Sequence, residues 1–253
     1  MNAVEFLIEY HDPRYWIMVA GALAIGFLLI KFFDQVAEEK KGTYLKRLGM
    51  MMIAIQLYVP VSQMIDPAFV FSYHRNLQLH FCGVNFWLIA INCFVRSRKL
   101  FVYTAYMAMV GGFHSFVTPL MTAGFSIPLF INFICVHSGL VFVPILMMRH
   151  YGMEFKRFDW ARAYGFDVFI STIMILVNYL INTYIENPIG APANYMFVTE
   201  IPHVDHPFLS PSLSWPFYML PLHFIFIAHM LLINAVIRWT KGIKLNSWSG
   251  ALR

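Results

Sequence analysis

The side chains in this sequence best equipped for chemistry are its thiols and imidazoles: three cysteines, Cys82, Cys93 and Cys135, and ten histidines. Paired, a cysteine and a histidine make a nucleophile, because the imidazole takes the thiol proton and the thiolate attacks an acyl carbonyl. Such a thiolate needs a base or positive charge close by, and the tetrahedral oxyanion that follows needs hydrogen-bond donors. Cys82 has polar company: Gln78 and His80 just before it, Asn85 just after, and Gln56 and Gln63 upstream. His114, His137, Asn178, Asn182 and His223 follow, each set in apolar surroundings. Asn85 and Asn178 are the first candidates for the oxyanion donors, and His114 is the next. A competing chemistry is a zinc site drawn from His80, His114, His137 and His223, with His203 and His206 nearby. Zinc takes three or more protein ligands with supporting partners. None of these four histidines stands four residues from another, and no carboxylate accompanies them, so the expectation is no metal and no cofactor. The bland reading is that the polar groups only hydrogen-bond between helices and lock a bundle together.

What must position these residues is a membrane-embedded bundle. The 253 residues are 59% hydrophobic, 17% aromatic and 12% charged, with a mean hydropathy of +0.62. Seven apolar stretches, near 15–33, 48–65, 77–95, 101–117, 127–148, 166–184 and 216–237, have the length of transmembrane helices. They lack the period-two alternation of barrel strands. The expected fold is therefore all-α, a single seven-helix membrane domain. Residues 1–14 hold Glu5, Glu9 and Asp12 against a single Arg14, so the first stretch reads as a retained helix and not as a cleavable signal.

Of the 18 Lys and Arg residues, all but Arg14 and Arg75 fall on one side of this arrangement. The positive-inside rule places that side in the cytoplasm, with the N-terminus outside and the C-terminus inside. The basic residues are spread over short segments, without a basic helix or stacking platform, which argues against nucleic acid. No Asp or Glu falls inside an expected span, Asp167 standing at an inner boundary, and this argues against a proton-coupled transporter. At 1.5 Å per residue, Cys82 lies about 8 Å and His223 about 10 Å below the outer surface, with His137 about 15 Å down. Most intramembrane polar groups thus fall in the outer half, as an outward-facing cavity would require. Helical phase puts Gln78, Cys82 and Asn85 on one face and turns His80 away unless the helix is distorted there. Asn178 and Asn182 share a face. Residues 185–215 form a long, proline-rich outer segment, expected to fold as a lid through its 194–197 patch, Asn-Tyr-Met-Phe. Residues 241–253 read as a polar tail.

Several short motifs recur in order along the chain: Leu79-His80-Phe81-Cys82, Thr118-Pro119 with Gly124-Phe125, His137-Ser138-Gly139, Asn178, Asn194-Tyr195-Met196-Phe197 and Trp215-Pro216-Phe217-Tyr218. As a series they resemble the YwaF-like integral membrane family, bacterial relatives of the eukaryotic transmembrane-protein-164 acyltransferases. The resemblance implies seven membrane helices in a bacterial cytoplasmic membrane. It also implies a phospholipid acyltransferase that moves a fatty acyl group from a phospholipid to a lysophospholipid. The essential cysteine and histidine of that branch correspond to Cys82 and His137. Gln56, His80, Asn85, His114, Asn178, Asn182, Asn194, Tyr195 and His223 would support the substrate or oxyanion. The partners are then phospholipid, lysophospholipid and the bilayer. Two alternatives stay open: a binding or transport protein with an outer polar pocket, or a histidine-based zinc hydrolase. Nothing in the sequence indicates an oligomeric state.

Overall fold

A computed structural model of the chain describes residues 6–66, 70–122, 124–201 and 213–249, with side chains described up to residue 240. Seven helices make up these residues: α1 (Pro13–Gln35), α2 (Glu38–Ile65), α3 (Phe81–Val95), α4 (Arg98–Val117), α5 (Ile127–His150), α6 (Asp159–Tyr184) and α7 (Met219–Ser249). Two short strands, β1 (Phe6–Leu7) and β2 (Leu120–Met121), pair antiparallel. Six of the helices are long and apolar enough to cross a membrane. Their outer faces carry exposed Trp16, Phe27, Leu28, Phe169, Leu176 and Phe224, surface that belongs in lipid. The chain is an integral membrane protein.

The seventh helix corrects the expected spans. α3 has 15 residues, about 22 Å, which is short of the hydrocarbon thickness. It begins at Phe81 and not at residue 77, so Gln78 and His80 precede it. Other helices run past their apolar stretches. α2 starts ten residues early, with Glu38 and Glu39 in its first turn, where acidic side chains suit the helix dipole. α6 starts seven residues early, because buried Asp159 accepts from the Lys156 amide at 2.7 Å and pairs with Arg98. Lys40, Lys41, Lys46 and Arg47 therefore sit in the first part of α2 and Arg162 in the first turn of α6, and Arg149 stands in the last turn of α5. α7 continues to Ser249, so most of the expected polar tail is helical. Residues 250–253 lie outside the described residues.

α4 is the most buried of the long helices and packs against α3, α5, α6 and α7. Around it lie Tyr106 and Phe101, both stacked on Phe155 with ring centroids 4.1 and 5.3 Å apart. Small residues let the helices close up: a Cβ at Gly26 of α1 would fall 2.3 Å from the Phe142 ring of α5. At the basic end of the bundle, Arg149 forks onto Asp34 at 2.7 and 3.0 Å. At the opposite end β1 pairs with β2, and the Ile8 amide donates to Pro119 O at 3.1 Å. The described parts of the α2–α3, α4–α5 and α6–α7 connections lie at that β1–β2 end.

Candidate functional site

A cavity of about 660 Å³ opens among α2 to α7, a size suited to a small ligand or part of a larger one. Cys82, His80, His114, His137, His223 and Gln56 all line it. Six of the sequence candidates therefore converge on one space.

Cys82 is the second residue of α3. The irregular backbone of residues 70–80 delivers the helix start into the bundle, where non-helical chain is tolerated because it lines a cavity. The amides of a first helical turn have no intrahelical acceptor, and the N-cap His80 makes no side-chain cap. Cys82 thus belongs to the first turn of α3, at the positive end of the helix dipole. Cys82 Sγ lies 3.5 Å from Ser115 Oγ of α4. The helices approach closely here: a Cβ at Gly111 would stand 2.9 Å from the Phe81 ring and 3.4 Å from Cys82 Sγ. Gln56 Nε2 reaches both Gln78 Oε1 and Gly83 O at 3.3 Å, tying α2 to the turn that starts α3.

His137 Nδ1 is 2.8 Å from Phe133 O. A carbonyl only accepts, so Nδ1 carries the proton and Nε2 keeps its lone pair. No hydrogen bond joins His137 to Cys82; the thiol's partner is Ser115. His80 is not turned away from Cys82 as a continuous helix would require. It packs against the rings of Tyr195 and Phe197 with centroids 5.1 and 5.2 Å apart. His114 faces His229 at 4.9 Å, and His223 Nδ1 is held by Tyr164 Oη at 3.3 Å. Among the described residues no three His, Cys, Asp or Glu side chains gather as a metal site would need. His203 and His206 lie outside the described residues.

Of the amide candidates Gln56 lines the cavity, and Asn85, Asn178, Asn182 and Asn194 do not. Asn85 is fully buried, donates to Phe81 O of its own helix at 2.9 Å and does not line the cavity. Asn178 grips Tyr195 by both backbone groups: Nδ2 donates to Tyr195 O at 3.0 Å, and Oδ1 accepts from Tyr195 N at 2.9 Å. Asn182 repeats this on Ala193 at 3.1 and 2.7 Å. Both are committed to holding the chain and neither lines the cavity. Asn194 accepts from Thr199 N and Glu200 N, each at 3.2 Å, and so shapes a turn. Tyr195 Oη donates to Tyr73 O at 2.7 Å and accepts from Leu77 N at 3.0 Å. These four residues hold the segment behind the cavity wall and do not line the cavity themselves. The residues they present to the cavity are Met196 and Phe197, held at φ 59° and 53°. That left-handed backbone is costly for such side chains and is typical of functional sites. Tyr218 Oη and Trp215 Nε1 brace it through Phe197 O at 2.6 Å and Val198 O at 2.9 Å.

Sequence reasoning missed two groups. Ser115 gave no signal, because a serine in a helix commonly bonds only its own backbone. Asp167 was set at a boundary, yet it lies inside α6, buried, lining the cavity, with Oδ1 lacking a protein partner. Cys93 packs in the core, and Cys135 is absent from the cavity wall. No curated protein and no solved structure matches the chain. Residues 10–234 match the TMEM164 family, so by nearly its whole length this chain belongs to that family.

Proposed function

We propose that the protein is a membrane acyltransferase that moves a fatty acyl group from a phospholipid to a lysophospholipid through Cys82 and His137. The observation that carries the reading is a thiol at the uncapped start of α3, in one cavity with a histidine whose Nε2 is free to accept a proton. His137 Nε2 takes the thiol proton once substrate occupies the cavity, and the sulfur attacks the ester carbonyl. The oxyanion is held by the first-turn amides of α3, in place of Asn85 and Asn178. The C–O bond breaks, the lysophospholipid oxygen leaves with the proton from His137, and the acyl group stays on sulfur as a thioester. A second lysophospholipid gives its hydroxyl proton to His137 and attacks the thioester, which restores the thiol form. In this reading the chain spans the bilayer of a bacterial cytoplasmic membrane seven times. The short α3 is completed by residues 70–80, the N-terminus is outside, and the cavity faces outward.

The test is acyl exchange between a donor phospholipid and fluorescent lysophospholipid by purified protein. Cys82→Ala and His137→Ala should each abolish exchange and leave the protein folded. Full activity in Cys82→Ala would end the reading. A second reading, binding or transport of a polar solute, is favoured by Asp167, since a carboxylate inside a span commonly marks a solute or proton path. It predicts solute binding that survives Cys82→Ala and is lost in Asp167→Asn.

A further inference from the structure

Arg75 is the sole Lys or Arg among the described residues that line the cavity. Beside it runs a chain of hydrogen bonds with a fixed sense. The Ser72 amide donates to Asn76 Oδ1 at 2.7 Å. That contact sets which end of the Asn76 carboxamide is oxygen, and Asn76 Nδ2 donates in turn to Gln63 Oε1 at 3.1 Å. Gln63 is thereby oriented as well, and the chain ends on its Nε2, a donor. Gln63 is 5% exposed and lines the cavity, and its Nε2 has no protein acceptor. Buried amide donors are almost always paired, so the end of this chain calls for an acceptor. A guanidinium and a carboxamide N–H on one wall suit an anionic oxygen, and guanidinium geometry matches a phosphate fork. His80, also on that wall, has a buried Nδ1 without a protein partner and adds a further donor in one tautomer.

We propose that Arg75 and Gln63 form a binding site for a phosphate oxyanion. Gln63 Nε2 and the Arg75 guanidinium are donors, and among the described lining residues the one carboxylate, Asp167, stands on a different element, α6. Arg75 lies in the turn that leads directly into α3 and Cys82. Arg75 and Cys82 line the same cavity, so a phosphate at Arg75 shares that space with the sulfur, as the headgroup of a glycerophospholipid would when its ester meets Cys82. Assignment to a lipid headgroup rests on the acyl-transfer reading; the oxyanion site does not.

The test uses full-length Cys82→Ala protein in maltoside detergent, so that turnover cannot alter the ligand. Binding of fluorescent lysophosphatidic acid is compared with that of the monoacylglycerol bearing the same chain and fluorophore. The phosphate-bearing lipid should bind about tenfold more tightly or better, the scale of a charge-assisted hydrogen bond. Gln63→Leu and Arg75→Gln should each remove most of that preference, and Arg75→Lys should keep part of it. Displacement by inorganic phosphate would identify a site that also takes free phosphate, and resistance to it a site that needs the lipid; both support the oxyanion site. Equal affinity for the two lipids in the protein with Arg75 and Gln63 intact would overturn the proposal, whether or not those variants fold. This outcome is separate from failure of the Cys82 mechanism, which is read by exchange activity alone.

Discussion

Cys82 Sγ sits 3.5 Å from Ser115 Oγ, and a second contact sets the direction of the first. Ser115 Oγ donates its proton to Gly111 O at 2.9 Å. In the resting protein the thiol is therefore the donor and Ser115 the acceptor. Once the thiol loses its proton, rotation of the Ser115 hydroxyl offers the sulfur a donor. Hydrogen bonds to charged groups contribute about 1.5–3 kcal/mol. Ser115→Ala should thus slow acyl exchange by about tenfold or more and slow alkylation of Cys82 by a small thiol reagent. Ser115→Thr should keep most of both rates. Equal alkylation rates in the protein with Ser115 and in Ser115→Ala would remove Ser115 from the mechanism.

Two glycines separate packing from chemistry. At Gly49 a Cβ would meet Phe94 at 2.7 Å and the Cys93 Cβ at 2.8 Å, and at Gly111 it would meet Phe81 and approach Cys82. Overpacking costs about 1–3 kcal/mol in either place. Gly49→Ala should lower the unfolding midpoint and leave Cys82 reactivity unchanged, and Cys93→Ala should leave exchange intact. Gly111→Ala should lower stability and also shift the alkylation rate of Cys82. Equal effects of the two glycine substitutions on that rate would refute the distinction.

Asn178→Leu strands both backbone groups of a Tyr195 that is fully buried. Unpaired buried groups cost about 1–3 kcal/mol each, so the loss should be about 3 kcal/mol, read by denaturant titration in detergent. Asn182 is exposed, and water replaces its contacts in part, so Asn182→Leu should cost distinctly less. Protease should enter residues 193–199 faster in Asn178→Leu. Unchanged cleavage and stability would show the clamp to be idle.

The charge bias orients the chain. A reporter fused after Arg238 should behave as cytoplasmic, and one placed in 186–192 as external. The opposite result would move the cavity to the other face of the membrane and overturn the depth arguments above.

Six long helices were legible because hydropathy reports directly on what lipid tolerates. The start of α3 was not. Leu77 and Leu79 extend the apolar pattern past Gln78 and His80, and neither Gly nor Pro marks the break, so Cys82 read as a residue one turn further into a helix. Asn178 and Asn182 were legible as a pair on one face, but their partners are backbone groups, which leave no signature in a sequence. Asp167 was hidden by the boundary drawn at Phe166, where α6 in fact runs on to Asp159. The convergence of His80, His114, His137 and His223 on one cavity depends on packing between helices, which a single sequence does not display.

The paired asparagines of α6 have a consequence for how the protein can change over time. Residues four apart on a helix rise by about 6 Å, and alternate residues of an extended chain are about 6.6 Å apart. The two carboxamides therefore act as a surrogate strand edge that Ala193 and Tyr195 join. Register is written in the pitch of α6 and not in the length of the connection. Residues 185–192 can lengthen, shorten or diversify freely, while Met196 and Phe197 keep the same address over the cavity.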